Sequence, residues 1–178
     1  MFKKKTDARS LLESLFPEVM QTEMSAVLHC DREATRLDGR AGRPMHQVSK
    51  HARASLAKLE RMGKARGFAP PSIGKSIGRI FSETRDKVAD RLVSAETSYR
   101  GTMIGMRHGY DLLSLTHAVA RETGDEELAA FCSSWLETRG PLIEDAAKTL
   151  SWFAHHPAAA QARAVPLLPF GRSRLSHQ

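Results

Sequence analysis

The stretch SYRGTMIGMRHGYDLLSLTHAVARETGDEELAAFCSSW, residues 98–135, decides the fold class. Tyr99, Met103, Met106, Tyr110, Leu113, His117 and Ala120 recur at helical spacings of three, four and seven, which gathers them on one stripe. Val88, Leu92 and Ala95 extend the register upstream, so the spacing predicts a long third helix from Ser82 to Glu122. Gly124 and Asp125 supply a turn. Leu128, Phe131, Cys132, Trp135, Leu142, Ala146, Leu150 and Phe153 then continue the pattern as a fourth helix. A proline inside a helix removes one backbone bond and crowds the preceding turn, so a kink or break is expected at Gly140-Pro141.

Upstream, Leu12, Phe16, Val19, Met20, Met24, Val27, Ala34 and Leu37 mark a first helix between Asp7 and Asp38. The segment LDGRAGRP, residues 37–44, carries two glycines and a proline and reads as a turn, with Pro44 in the first turn of helix two. Val48, Ala52, Leu56, Leu59 and Met62 form that helix's buried stripe, which Gly63 or Gly67 ends. GFAPPSIGKSIG, residues 67–78, is too rich in Gly and Pro for a helix interior, and its length suits a crossover between two helical hairpins. The expected architecture is therefore an all-α four-helix bundle over residues 1–154, followed by a basic tail over 155–178 rich in Pro and Ala.

Composition narrows the classes. A chain of 178 residues with 41% hydrophobic and 26% charged residues suits one globular domain. No apolar run approaches the roughly 20 residues that span a bilayer, and the basic start MFKKK leads into Glu13 and Glu18 rather than a cleavage site, so a cytoplasmic protein without a membrane partner is expected. Cys30 and Cys132 have no CxxC spacing and read as core residues. The net charge of +7 is uneven: residues 39–80 hold ten Lys or Arg and one acid, Glu60, whereas residues 81–155 hold twelve acids and eight Lys or Arg. Arg40, Arg43, Lys64, Arg66, Lys75 and Arg79 are candidate contacts to nucleic acid or another polyanion. Phe68 is the one aromatic among them, which disfavours stacking on single strands.

Two constellations inside the bundle stand out. Gly101, Gly105 and Gly109 recur every four residues, and each costs roughly 1 kcal/mol relative to alanine in a helix interior. Either tight packing within the bundle or an interface in a homo-dimer would offset that cost. Folding the two hairpins about residue 41 and Gly124 brings Asp31, His51, His108 or Asp111, and Glu137 towards one level, a candidate site for iron or manganese. The competing reading is surface acids around a satisfied histidine, because the residue three before His51 is Val48 and no Glu-x-x-His occurs there. Motifs for a nucleophile elbow, a phosphate loop, a dinucleotide fingerprint or a zinc protease are absent, so no catalytic residue is assigned.

The segments VSKHARASLAKLERM (48–62), HGYDLLSLTHAVARETGDEELAAF (108–131) and WLETR (135–139) together resemble the YciE/YciF-type stress proteins of the ferritin-like superfamily. The resemblance covers residues 8 to 154 and implies a ferritin-like bundle in which His51 and Glu137 stand at ligand positions. Ser49 and Arg53 stand where that pattern has acids, and MIGMR before Gly109 has none. A site so depleted of anionic oxygen suits a dication poorly. The expectation is a non-enzymatic, homo-oligomeric, stress-associated or interaction protein that has lost its metal centre. Its alternatives are a metal-binding bundle using His51 and Glu137, and an anion-binding bundle using residues 39–80.

Overall fold

The computed structural model describes residues 7–37, 39–68 and 93–164. Four long helices occur there: α1 (Ala8–Leu37), α2 (Gly39–Arg66), α3 (Ala95–Glu122) and α4 (Glu126–His155), followed by a short α5 (Pro157–Gln161). The long helices have 28 or 30 residues, which at 1.5 Å per residue makes a bundle about 42–45 Å long. No strand longer than an isolated bridge occurs among the described residues.

Cross-helix contacts fix the arrangement. Ser49 reaches the Val27 carbonyl and Gly63 lies against Phe16, so α1 and α2 run antiparallel. Tyr99 donates to the Ala146 carbonyl at 2.8 Å and Tyr110 meets Trp135, so α3 and α4 do too. Glu33 with Ser98 and Thr22 with Gly109 pair α1 with α3, while Ala41 with Thr149 and Arg66 with Asp125 pair α2 with α4. The helices therefore form a square in the order α1, α2, α4, α3, with antiparallel neighbours. α2 and α3 sit on one diagonal and are parallel, so α2 ends at the opposite end of the bundle from the start of α3. This is the two-hairpin arrangement expected from the long crossover, whose residues 69–92 lie outside the described ones.

The apolar core has two halves. Phe16, Leu59, Leu113 and Leu128 belong to one cluster, and Met45, Tyr99, Met103 and Phe153 to the other. Along every helix a polar or amphipathic residue separates them: Glu23 on α1, His51 on α2, Tyr110 on α3 and Arg139 on α4.

Several boundaries differ from the sequence expectations. Helix α2 begins at Gly39 rather than near Pro44, and Gly39 takes the left-handed φ of +53° that a glycine adopts without a Cβ penalty. Gly42 then lets the helices cross closely: a Cβ there would lie 2.5 Å from the Ala34 carbonyl oxygen. Gly67, at φ +67°, rather than Gly63, follows the end of α2. Helix α3 starts at Ala95 rather than Ser82, since Ser94 is extended and caps it by accepting from the Thr97 N–H at 3.2 Å. Helix α4 is not broken at Gly140-Pro141. Pro141 costs the Glu137 carbonyl its helical donor, but buried Trp135 and Arg139 on one side and Ile143 and Ala146 on the other hold both halves in place. Met24 is exposed, because the buried stripe of α1 passes through Glu23, Ala26, Cys30 and Glu33 instead.

Beyond His155 the chain remains packed as far as residue 164. Ala95 N–H donates to the Ala162 carbonyl at 2.7 Å, Ala164 N–H donates to the Val93 carbonyl at 2.9 Å, and Ala164 is buried. Residues 165–178 lie outside the described ones.

Candidate functional site

The layer between the two apolar halves buries an ion pair. Glu23 and Arg139 are each 1% exposed, and Arg139 Nη2 donates to Glu23 Oε2 at 2.8 Å. Trp135 Nε1 donates to the same oxygen at 3.1 Å, and Ser55 also hydrogen-bonds the carboxylate. Arg139 Nε donates to His51 Nδ1 at 3.0 Å, while its guanidinium carbon sits 4.5 Å from the centre of the Trp135 ring. One cation from α4 thus joins α1, α2 and an aromatic face of its own helix.

The electrostatics follow from that burial. Desolvation pushes the Glu23 carboxyl upward against the attraction of Arg139 and its hydrogen bonds, and it pushes the Arg139 guanidinium downward against the attraction of Glu23. Burial, together with the adjacent guanidinium and Lys58, lowers His51 to about 4. A neutral ring with its lone pair at Nδ1 is what the hydrogen bond from Arg139 requires. Cys30, buried beside this layer, has its thiol pushed up to about 12, chiefly by desolvation. It is therefore a core thiol rather than a nucleophile.

A second buried carboxylate lies nearer the α1–α2 turn. Glu33 Oε1 accepts from Ser98 at 2.8 Å and Thr102 at 3.4 Å, and Glu33 Oε2 accepts from Arg36 at 2.5 Å.

Of the five candidate metal ligands, only His51 reaches the interior. Asp31 pairs with Arg53 across α1 and α2, Glu137 is exposed and accepts from Ser133 at 3.3 Å, and His108 and Asp111 lie exposed on α3. Among the described residues no group of three or more His, Cys, Asp or Glu side chains is placed to hold a metal ion. The central layer itself does not suit iron or manganese as it stands. Its histidine lone pair and carboxylate oxygen already face a guanidinium, and a dication there would meet a fixed positive charge.

The glycine row divides. Gly109 faces Thr22 at ordinary contact distance, Gly101 is half-buried, and Gly105 is exposed with open space around it. The close approaches occur instead at Gly42 and at Gly63, where a Cβ would lie 2.7 Å from the Phe16 ring. Of the anion-binding candidates, Arg43 and Lys64 are exposed on α2. Arg66 is turned to Asp125 at 2.6 Å and Glu127 at 2.9 Å, tying α2 to the α3–α4 turn. Lys75, Arg79 and the side chain of Arg40 lie outside what is described.

Sequence reasoning missed Glu23, Arg139 and Glu33. The available signal was that each charged residue falls in phase with an apolar stripe: Glu23 between Val19 and Ala26, Arg139 between Trp135 and Leu142, and Glu33 between Cys30 and Leu37. No helix among the described residues is long and apolar enough to cross a membrane. No family model, curated protein or solved structure matches the chain.

Proposed function

We propose that this protein is a non-enzymatic bundle of the ferritin-like type, a homo-dimeric stress-associated or interaction protein whose central layer holds a buried arginine–glutamate pair in place of a metal centre. The observation that carries this reading is Arg139, whose guanidinium engages both Glu23 and His51 at the joint between the two core halves. The parallel, diagonal placement of α2 and α3, which a long crossover must serve, supports the ferritin-like part.

Support for the dimer comes from α3. Ile104, Gly105, His108 and Leu115 lie three, four, seven and fourteen residues beyond Gly101, which places all five on one outward strip. Ile104 is 57% exposed and Leu115 47%, so a second copy covering the strip would bury apolar surface that the monomer leaves in water.

Metal analysis of protein purified without chelators tests the central claim. The expected result is no stoichiometric iron or manganese; a stoichiometric metal lost on His51→Ala overturns the reading. Sedimentation velocity tests the dimer, which Ile104→Glu with Leu115→Glu is expected to convert to a monomer of unchanged helix content. A wild-type chain that sediments as a monomer at all concentrations removes the dimer.

A further inference from the structure

Helix α2 carries a charge pattern that neither the core nor the central layer uses. Arg43, Lys50, Arg61 and Lys64 are all exposed, and their separations of seven, eleven and three residues are each close to a whole number of helical turns. They form one strip about 31 Å long on the outer corner of the bundle. Lys58 is exposed beside the strip, and the one acid in the whole of α2 is Glu60. Arg53 and Arg66 are different, because both are engaged by acids of other helices, Arg53 by Asp31 and Arg66 by Asp125 and Glu127. A solvated helix face ordinarily mixes both signs, since like charges one turn apart repel, as Arg61 and Lys64 do here. α4, alongside α2, does mix them, with Glu137 and Glu144 exposed together with Lys148.

The rest of the strip restricts what would meet it. Its neutral exposed residues include Gln47, Ala54 and Ala57, and no exposed apolar residue of α2 is larger than alanine. A helix that enters a lipid surface does so with its apolar face, and that face of α2 is buried in the bundle. His46 is the one exposed ring on α2, no Phe, Tyr or Trp is exposed there, and the nearby Phe68 is packed on Phe16 and beneath Arg9, so a run of bases has no row of rings to stack on. Few side chains there combine donors and acceptors for reading base edges. What remains is a straight, low-relief row of cations suited to phosphates spaced along a rigid rod.

We infer that the outer face of α2 is an interaction surface for the phosphate backbone of a nucleic-acid duplex, bound without sequence preference through Arg43, Lys50, Arg61 and Lys64. This names the partner class for the interaction-protein reading above and rests on that reading only in taking the bundle to work by binding. The two fail separately, because metal content is measured without nucleic acid and duplex binding without reference to metal.

The test is fluorescence anisotropy of a labelled 24-base-pair DNA duplex titrated with the full chain across a series of KCl concentrations. Two unrelated sequences are expected to bind equally, with log affinity falling against log salt at a slope of about −3 to −4, as four phosphate contacts give. Lys50→Glu with Arg61→Glu is expected to lower affinity about tenfold or more and to flatten the slope by about 2, while Lys148→Gln on α4 leaves both unchanged. Lys50→Gln with Arg61→Gln, which removes charge without reversing it, gives the same direction if the reversed variant loses its helical circular dichroism. Absence of binding at the lowest salt overturns the proposal. So does equal binding by the α2 variants, which would place the contact elsewhere in the chain. Tighter binding to phosphatidylglycerol vesicles than to the duplex assigns the face to a membrane surface and overturns it too.

Discussion

Glu23 and Glu33 lie on the same helix, ten residues or about 15 Å apart, and both are essentially inaccessible to water at 1% and 0% exposure. Their solutions to that burial differ. The cation for Glu23 comes from Arg139 on α4, diagonally across the bundle, and is itself 1% exposed. The cation for Glu33 is Arg36, three residues along the same helix, with its side chain 11% exposed, and α3 adds hydroxyl donors from Ser98 and Thr102. The first pair exists only when the bundle is assembled. The second is half made as soon as α1 is helical. A buried ion pair repays its desolvation only where geometry and hydrogen bonds are complete, and losing one partner leaves the other stranded. The central pair should therefore respond far more to mutation than the local one.

The largest expected effect is that of Arg139→Met. Glu23 would be left as an uncompensated buried charge, and removing one partner of such a pair costs about 3–5 kcal/mol. In a chain of this size that corresponds to a fall in Tm of roughly 10 °C, measurable by thermal or urea unfolding. The double variant Glu23→Leu with Arg139→Met removes both charges and should regain most of the loss. If Arg139→Met alone stays within about 1 kcal/mol of the parent, the central layer is not the strong coupling described above.

His51 gives the same layer a pH dependence. Its folded pKa of about 4 lies below the unfolded value of 6.5, so the unfolded chain binds the extra proton first. The contribution is complete above pH 6.5 and is lost as pH falls towards 4. With allowance for solvent screening at a partly exposed ring, the loss is on the order of 2 kcal/mol. His51→Asn keeps an acceptor for Arg139 Nε but cannot titrate. Urea unfolding at pH 7 and pH 4.5 should show the parent losing more stability than this variant, and equal losses would mean that His51 does not sense the guanidinium. Taking the difference between the two proteins removes the opposing contribution of Glu23, whose raised carboxyl acts in the other direction.

The bundle was legible in the sequence because apolar residues at three and four leave little choice of period, and a Gly/Pro-rich connection between two helical pairs dictates which helices can be parallel. The helix boundaries were less so. Helix α2 already begins at the left-handed Gly39 where LDGRAGRP suggested a loop, and Gly42 against the Ala34 carbonyl is a contact between helices that no local preference foretells. At the site, His51 was visible as a histidine on a helix that needed a partner. Its partner was not, because Arg139 is 88 residues away in sequence and stands among the mixed charges of residues 81–155. Charged residues in phase with an apolar stripe were the missed signal, and Glu23, Glu33 and Arg139 all carry it.

Arg36→Gln should cost less than Arg139→Met, about 1–2 kcal/mol, because Ser98 and Thr102 still donate to Glu33 and solvent lies within a side chain's reach. Circular dichroism melts of the two variants side by side measure the difference directly. A loss equal to that of Arg139→Met would show that Glu33 depends on its local cation as fully as Glu23 depends on its distant one, and the contrast between the pairs would vanish.

The smallest effect separates the two carboxylates most sharply. In Glu33→Gln the side-chain amide oxygen still accepts from Arg36 Nη1, and the amide nitrogen can donate to the Ser98 hydroxyl, which turns to accept. Arg36, no longer held by a full charge, can extend to water, so the expected loss is about 1 kcal/mol. At Glu23 the amide oxygen can likewise keep Trp135 Nε1 and Arg139 Nη2, and Ser55 can turn to accept from the amide nitrogen, so the difference lies in the cation: Arg139, 1% exposed, loses its buried anion and has no path to solvent. Glu23→Gln should therefore exceed Glu33→Gln by about 2 kcal/mol in urea unfolding at pH 7. Equal losses would mean that burial alone, and not the origin of the partner cation, sets the cost of each carboxylate in this bundle.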